Sequence, residues 1–162
     1  MIRAMERGFS WIEMMLVLAV LGGLAALAIP AMQDSVLKRQ VKEGLKLGVV
    51  AEVGVQTAYV TNAGKFPLNN KEASLPDSDK IVGNLVKDVS VNAGAITITF
   101  GNNASKALDG KKVTLRPAVV PDSPMVPIAW LCHNIAVPQK MEVTGRDETD
   151  VPPKWLPVEC RA

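Results

Sequence analysis

"RGFSWIEMMLVLAVLGGLAALAIP", residues 7–30, carries a single acid, Glu13, inside an otherwise apolar run. As an α-helix rising about 1.5 Å per residue, residues 9–29 span roughly 30 Å, the thickness of a bilayer core. The preceding "MIRAMERG" contains Arg3 and Arg7. By the positive-inside tendency these hold the N-terminus in the cytoplasm and send the rest of the chain across. A carboxylate in hydrocarbon is costly unless paired, so Glu13 needs a reason to be there.

A removable secretory signal would explain the basic start, the apolar middle and the small residues at 26–28. Against it stand an apolar run longer than the usual 7 to 15 residues, roughly, and an acid near its beginning. A plain uncleaved anchor tolerates Glu13 because only about 6 Å of helix rise separates it from the polar end. That reading accounts for the position but not for the choice of an acid.

The residues themselves offer a third reading. A short basic leader ending in Gly8, then Phe9, then an acid at the fifth position of an apolar run resembles the N-terminus of type IV pilins and pseudopilins. The family's commonest wording, "FTLIE", is here "FSWIE". The resemblance implies that a membrane peptidase, the prepilin peptidase, cuts after Gly8 on the cytoplasmic side and methylates the new amine of Phe9. It also implies an assembly role for Phe9 and Glu13. The amine of one subunit would neutralise the carboxylate of the next only when the two are staggered along a filament axis. Such a head-to-tail contact between identical chains does not close, and so generates a helical filament.

Past the anchor, Leu37, Val41, Leu45, Val49, Val53 and Val60 recur at roughly helical spacing, with Asp34, Lys38, Arg39, Lys42, Glu43 and Lys46 for an opposite face. This predicts one long helix, apolar in its first half and amphipathic in its second. Pro30 removes a backbone donor and crowds the preceding turn, so a helix break or kink is expected there. Glycines at 22, 23, 44, 48 and 54 weaken the helix further, and serve either close packing or local unwinding.

"TNAGKFPLNNKEASLPDSDK", residues 61–80, is rich in turn formers and ends the helix. "LVKDVSV" and "AITITF" flank Asn92, Ala93 and Gly94 and read as a hairpin. Further strands are expected in "KKVTLRP" and "IAWLC". The fold class is therefore α+β: a long N-terminal helix packed on a four-stranded antiparallel sheet. Eight prolines between Pro117 and Pro157 exclude a regular sheet centre from the C-terminal third. Cys132 and Cys160 leave one possible bridge, expected if the domain folds outside the cytoplasm. By the chain-entropy model, closing that loop contributes about 3.5 kcal/mol.

"AWLCHN" and "LPVECRA", with "GKFPLNN" and "NAGAITITFG" upstream, extend the pilin resemblance over essentially the whole chain and point to major pilins of type IVa pili. The family's Cys–Cys closure implies a D-region loop over 132–160. The implied organisation is a cleaved leader 1–8, an apolar transmembrane and filament-core helix 9–29, an amphipathic helix 30–63 and a globular head 64–162. The implied function is a structural subunit polymerising into pili used for adhesion, twitching motility or DNA uptake. The implied partners are further copies of the chain, the prepilin peptidase and an inner-membrane platform with ATPase motors. Subunits would wait in the inner membrane of a Gram-negative bacterium before joining an extracellular pilus. A minor pilin or a type II secretion pseudopilin is the alternative. Major pseudopilins usually lack this bridge and carry a calcium site instead.

With 162 residues, 48% hydrophobic and 21% charged, the chain fits one domain plus an anchor. A net charge of +2, no basic run and 4% aromatics give no sign of a dedicated nucleic-acid site. The single histidine, His133, has no acid or serine at motif spacing and reads as a loop residue beside the bridge. "DSD" at 77–79 lacks the rest of a calcium loop. No enzymatic activity, cofactor or metal is expected.

Overall fold

The computed structural model describes residues 9–161, and the side chains of all of these except 27–31. The leader and its Gly8 lie outside the described residues. A helix of 51 residues, α1 (Trp11–Thr61), comes first. The chain divides into two units between Ser35 and Val36. Pro30 falls within α1, and its side chain lies outside those described. Among the described residues no helix is long and apolar enough to cross a membrane. The span expected over 9–29 ends on residues 27–29, which lie beyond the described side chains.

In the second unit, four antiparallel strands follow in chain order across the sheet: β1 (Val86–Asn92), β2 (Ala95–Phe100), β3 (Lys112–Val119) and β4 (Ala129–Cys132). The β1–β2 hairpin turns on Ala93 and Gly94, both at positive φ, +48° and +81°. Two such central residues between the Asn92–Ala95 pair match the right-handed twist of the strands. The helix-to-sheet loop is pinned to edge strand β1 by the buried Asn70. Its side-chain amide donates to the Pro76 and Val89 carbonyls at 3.0 Å each, and its oxygen accepts from the Val91 N–H at 2.7 Å.

The four strands and the Cys132–Cys160 bridge lie where the sequence placed them. A fifth strand does not figure in that reading. β5 (Glu142–Val143) pairs antiparallel with β3 at Ala118 and Val119. Because Ala118 also pairs with Ala129 of β4, β5 occupies the other side of β3, in the lane that β2 leaves at Ala95. Gly145, at φ +83°, then lies so close to Ala95 that a side chain there would collide with it. The chain next returns to the β4 side of β3. There the Asp150 N–H donates to the Lys112 carbonyl at 3.1 Å, and the Thr149 hydroxyl accepts from the Thr114 N–H at 3.0 Å. The C-terminal third is therefore a strap crossing the sheet face, stapled at its end.

The face of α1 that packs on the sheet differs from the predicted row. Leu37 and Val41 are buried as expected, but the buried row continues through Gly44, Gly48, Ala51, Val55 and Ala58. Leu45 is half-buried, whereas Val49, Val53 and Val60 are exposed. The reason is geometric. At 3.6 residues per turn, a strict i+4 row winds around the helix by about 40° per step, whereas alternating steps of three and four stay on one face. Small residues form the centre of that face because β2 comes close. The Phe100 ring lies against Gly44 where a Cβ would stand, and Ile98 Cδ1 is 2.7 Å from the Cβ position of Gly48.

Candidate assembly surfaces

The helix start combines local order with an unsatisfied charge. The Ser10 carbonyl accepts the Glu13 N–H at 3.0 Å and the Met14 N–H at 3.2 Å, so Ser10 begins the hydrogen-bonding of α1 and Glu13 is its third residue. Ser-x-x-Glu is also the spacing of a capping box, a signal the pattern of charges alone did not bring out. An acid in the first turn further suits the positive end of the helix dipole. The Glu13 side chain is exposed, and within the single chain it has no ion-pair partner among the described residues. Phe9 is 71% exposed.

Every residue described with its side chain from Phe9 to Ala26 is exposed, including Leu16, Leu18, Leu21 and Leu24 on all sides of the helix. A helix apolar all round is one meant to be surrounded. Gly22 and Gly23 have no neighbouring atoms within 4 Å, unlike Gly44 and Gly48. Gly44 and Gly48 are thus seated against the sheet, and Gly54 against Ala73 and Leu75 of the loop that follows the helix. Further along α1, Val49, Val50, Val53 and Val60 present a second apolar surface on the side turned away from the sheet.

The C-terminal strap is held from two directions. Cys132 and Cys160 are bonded across 28 positions of sequence, and both are buried with Leu156 and Val151 in the main core. Trp130 and Trp155 pack against that core. His133 is more than a loop residue beside the bridge. Its Nδ1 lies 3.2 Å from Asp147 Oδ2, and its carbonyl accepts from an Arg116 guanidinium N–H at 2.7 Å. Burial acts to raise the Asp147 pKa. The hydroxyl and backbone N–H of Thr149, with the charges of His133 and Arg116, outweigh it and hold the carboxyl below its usual range. Asp147 lies 14 residues from His133 in sequence, too far for spacing to announce the pair. Among the described residues no group of His, Cys, Asp and Glu could hold a metal ion.

A family model described as pilin, a bacterial filament protein, matches residues 38–161. The chain belongs to the pilin family. A type IV major pilin, PilE1 of Neisseria gonorrhoeae, is 35% identical over 97% of this pilin and 88% of its own length. A fimbrial protein of Neisseria meningitidis serogroup B is 32% identical over 97% of this pilin and 95% of its own length. Fimbrial protein EcpC of Eikenella corrodens is 29% identical, with 99% and 94% covered. This pilin is accordingly a type IV major pilin subunit that forms filaments, and is not an enzyme. It is a fimbrial protein of a Gram-negative bacterium, found in the pilus.

Proposed function

We propose that this pilin is a type IVa subunit matured by cleavage between Gly8 and Phe9, and that the new Phe9 amine of one copy pairs with Glu13 of another during filament growth. The observation that carries this reading is Glu13 itself. It is the one charge between Phe9 and Gln33, and it has no partner ion among the described residues of its own chain. Before assembly, residues 9–29 anchor the subunit in the inner membrane. In the filament they form an apolar core, and Pro30 with Gly22 and Gly23 lets the helix unwind locally as subunits pack. Moving an apolar helix from lipid into an apolar bundle yields little free energy, because lipid tails are as apolar as leucine. Extraction thus calls for the prepilin peptidase first and then for a platform driven by ATPase motors. Adhesion, twitching motility and DNA uptake are the tasks such a filament serves.

Mass spectrometry of the mature N-terminus tests this. A methylated Phe9 is expected, and a start beyond Ala26 overturns the reading. Electron microscopy of sheared surface material should show filaments made mainly of this chain. Filaments carrying it only as a trace component would point instead to a minor pilin.

A further inference from the structure

Alongside α1 runs a groove of about 260 Å³ between Lys42, Leu45, Lys46 and Val49 on the helix and Pro157 and Cys160 on the stapled C-terminal segment. Glu159 also lines that second wall, and Val158, 78% exposed, stands between Pro157 and Glu159 in sequence, at the wall's edge. The exposed Val53 and Val60 carry the apolar surface further along the helix. We propose that this groove is a seat for the apolar N-terminal helix of a second copy, and that the bridge, besides closing a loop, builds one of its walls.

The occupant follows from what the chain itself presents. Copies of this chain meet in a filament. The segment of each copy most in need of cover is the exposed apolar helix of residues 9–26. A groove with apolar walls covers one side of such a helix, at about 25 cal/mol for each Å² of apolar surface removed from water. The rim carries Lys42 and Lys46 on one wall and Glu159 on the other, so both signs are present and no one-sided field selects a charged peptide. The long lysine stems can lie along an apolar neighbour while their ammonium groups stay in water. The proposal rests on the filament-core reading of residues 9–29 but adds a specific contact to it.

To test it, Val158 in the full-length chain is replaced by a photoreactive benzophenone amino acid, assembled filaments are irradiated, and the joined peptides are mapped. Joining to residues 9–26 of another copy is expected. Joining to the head of another copy, to phospholipid alone or to nothing overturns the proposal. In parallel, Val158→Asp should lower surface filament mass at least about tenfold, the effect of charging a well-covered contact. Subunit level and bridge formation should stay unchanged. Normal filament mass in that variant also overturns the proposal. If the mature chain starts at a methylated Phe9 and Glu13→Gln blocks growth while the photoproduct joins two heads, the groove proposal falls and the charge-pair reading stands.

Discussion

His133 Nδ1 and Asp147 Oδ2 stand 3.2 Å apart, tying the residue after Cys132 to the strap where it crosses the sheet. The staple at Cys132–Cys160 and this polar clasp therefore act on the same end of β4. Beneath the clasp, the Thr114 hydroxyl accepts from the Glu148 N–H at 3.1 Å and lies 3.2 Å from that of Thr97. The buried strand β3 is thus joined directly to the strap that covers it.

The clasp sets an acid limit on stability. Asp147 has a lowered pKa in the folded chain, so its contribution is present above the unfolded value, about 3.9, and is lost as pH falls through the folded value. Asp147→Asn keeps the shape but removes the charge, and should cost about 1.5–3 kcal/mol at neutral pH, as expected for hydrogen bonds to a charged group. Urea melts at pH 7 and at pH 3 check both points. The gap between the variant and the parent should narrow at the lower pH, and an equal gap at both would exclude the carboxylate as the cause.

Removing the bridge should cost more. Cys132→Ser with Cys160→Ser frees a loop whose closure contributes about 3.5 kcal/mol by the chain-entropy model. The strap should then become protease-sensitive at residues 138–150, while the β1–β2 hairpin and α1 remain protected. Limited proteolysis with mass mapping reads this out. Uniform resistance would show that the clasp alone holds the strap.

Close packing of α1 gives a contrast between neighbouring glycines. Alanine at a helix-interior glycine gains roughly 1 kcal/mol of propensity. At Gly44 the new methyl meets the Phe100 ring, a buried group with little freedom to move, and overpacking costs about 1–3 kcal/mol. At Gly48 it meets the tip of Ile98, which can change rotamer. Gly44→Ala should therefore lower stability by about 1 kcal/mol while Gly48→Ala is near neutral. Thermal melts of the two variants, measured side by side, decide this.

These contrasts also show which parts of the fold local sequence could carry. The hairpin was legible because Ala93-Gly94 between two alternating strands is a local signal, and β3 and β4 fall on the short stretches "KKVTLRP" and "IAWLC" between turn-rich segments. The packing face of α1 was not, because apolar valines drew attention to a row that winds off the sheet. Beyond Leu37 and Val41, the residues at the centre of that face are Gly44, Gly48 and Ala51, chosen for closeness rather than for hydrophobicity. β5 and the His133–Asp147 clasp depend on where a proline-rich strap crosses the sheet. Two residues of strand and a pair 14 positions apart leave no periodicity to read. At the assembly end the balance reverses: Glu13 was conspicuous in sequence, and the structure adds its place at the third helical position after Ser10.

That place makes Glu13 a candidate for two roles, and one substitution separates them. In a capping box the third residue helps to start the helix, and glutamine serves there as well as glutamate. In the ion pair with a Phe9 amine only the charge counts, and glutamine is a poor substitute. Glu13→Gln should leave the subunit at normal level in the membrane fraction, with α1 intact by circular dichroism, yet reduce surface pili severely. Glu13→Ala removes the charge and the capping group together, and should be no better. If glutamine restores normal pilus numbers while alanine does not, the side chain at position 13 acts by starting the helix and not through its charge, and the pairing of Glu13 with a second copy's Phe9 is wrong.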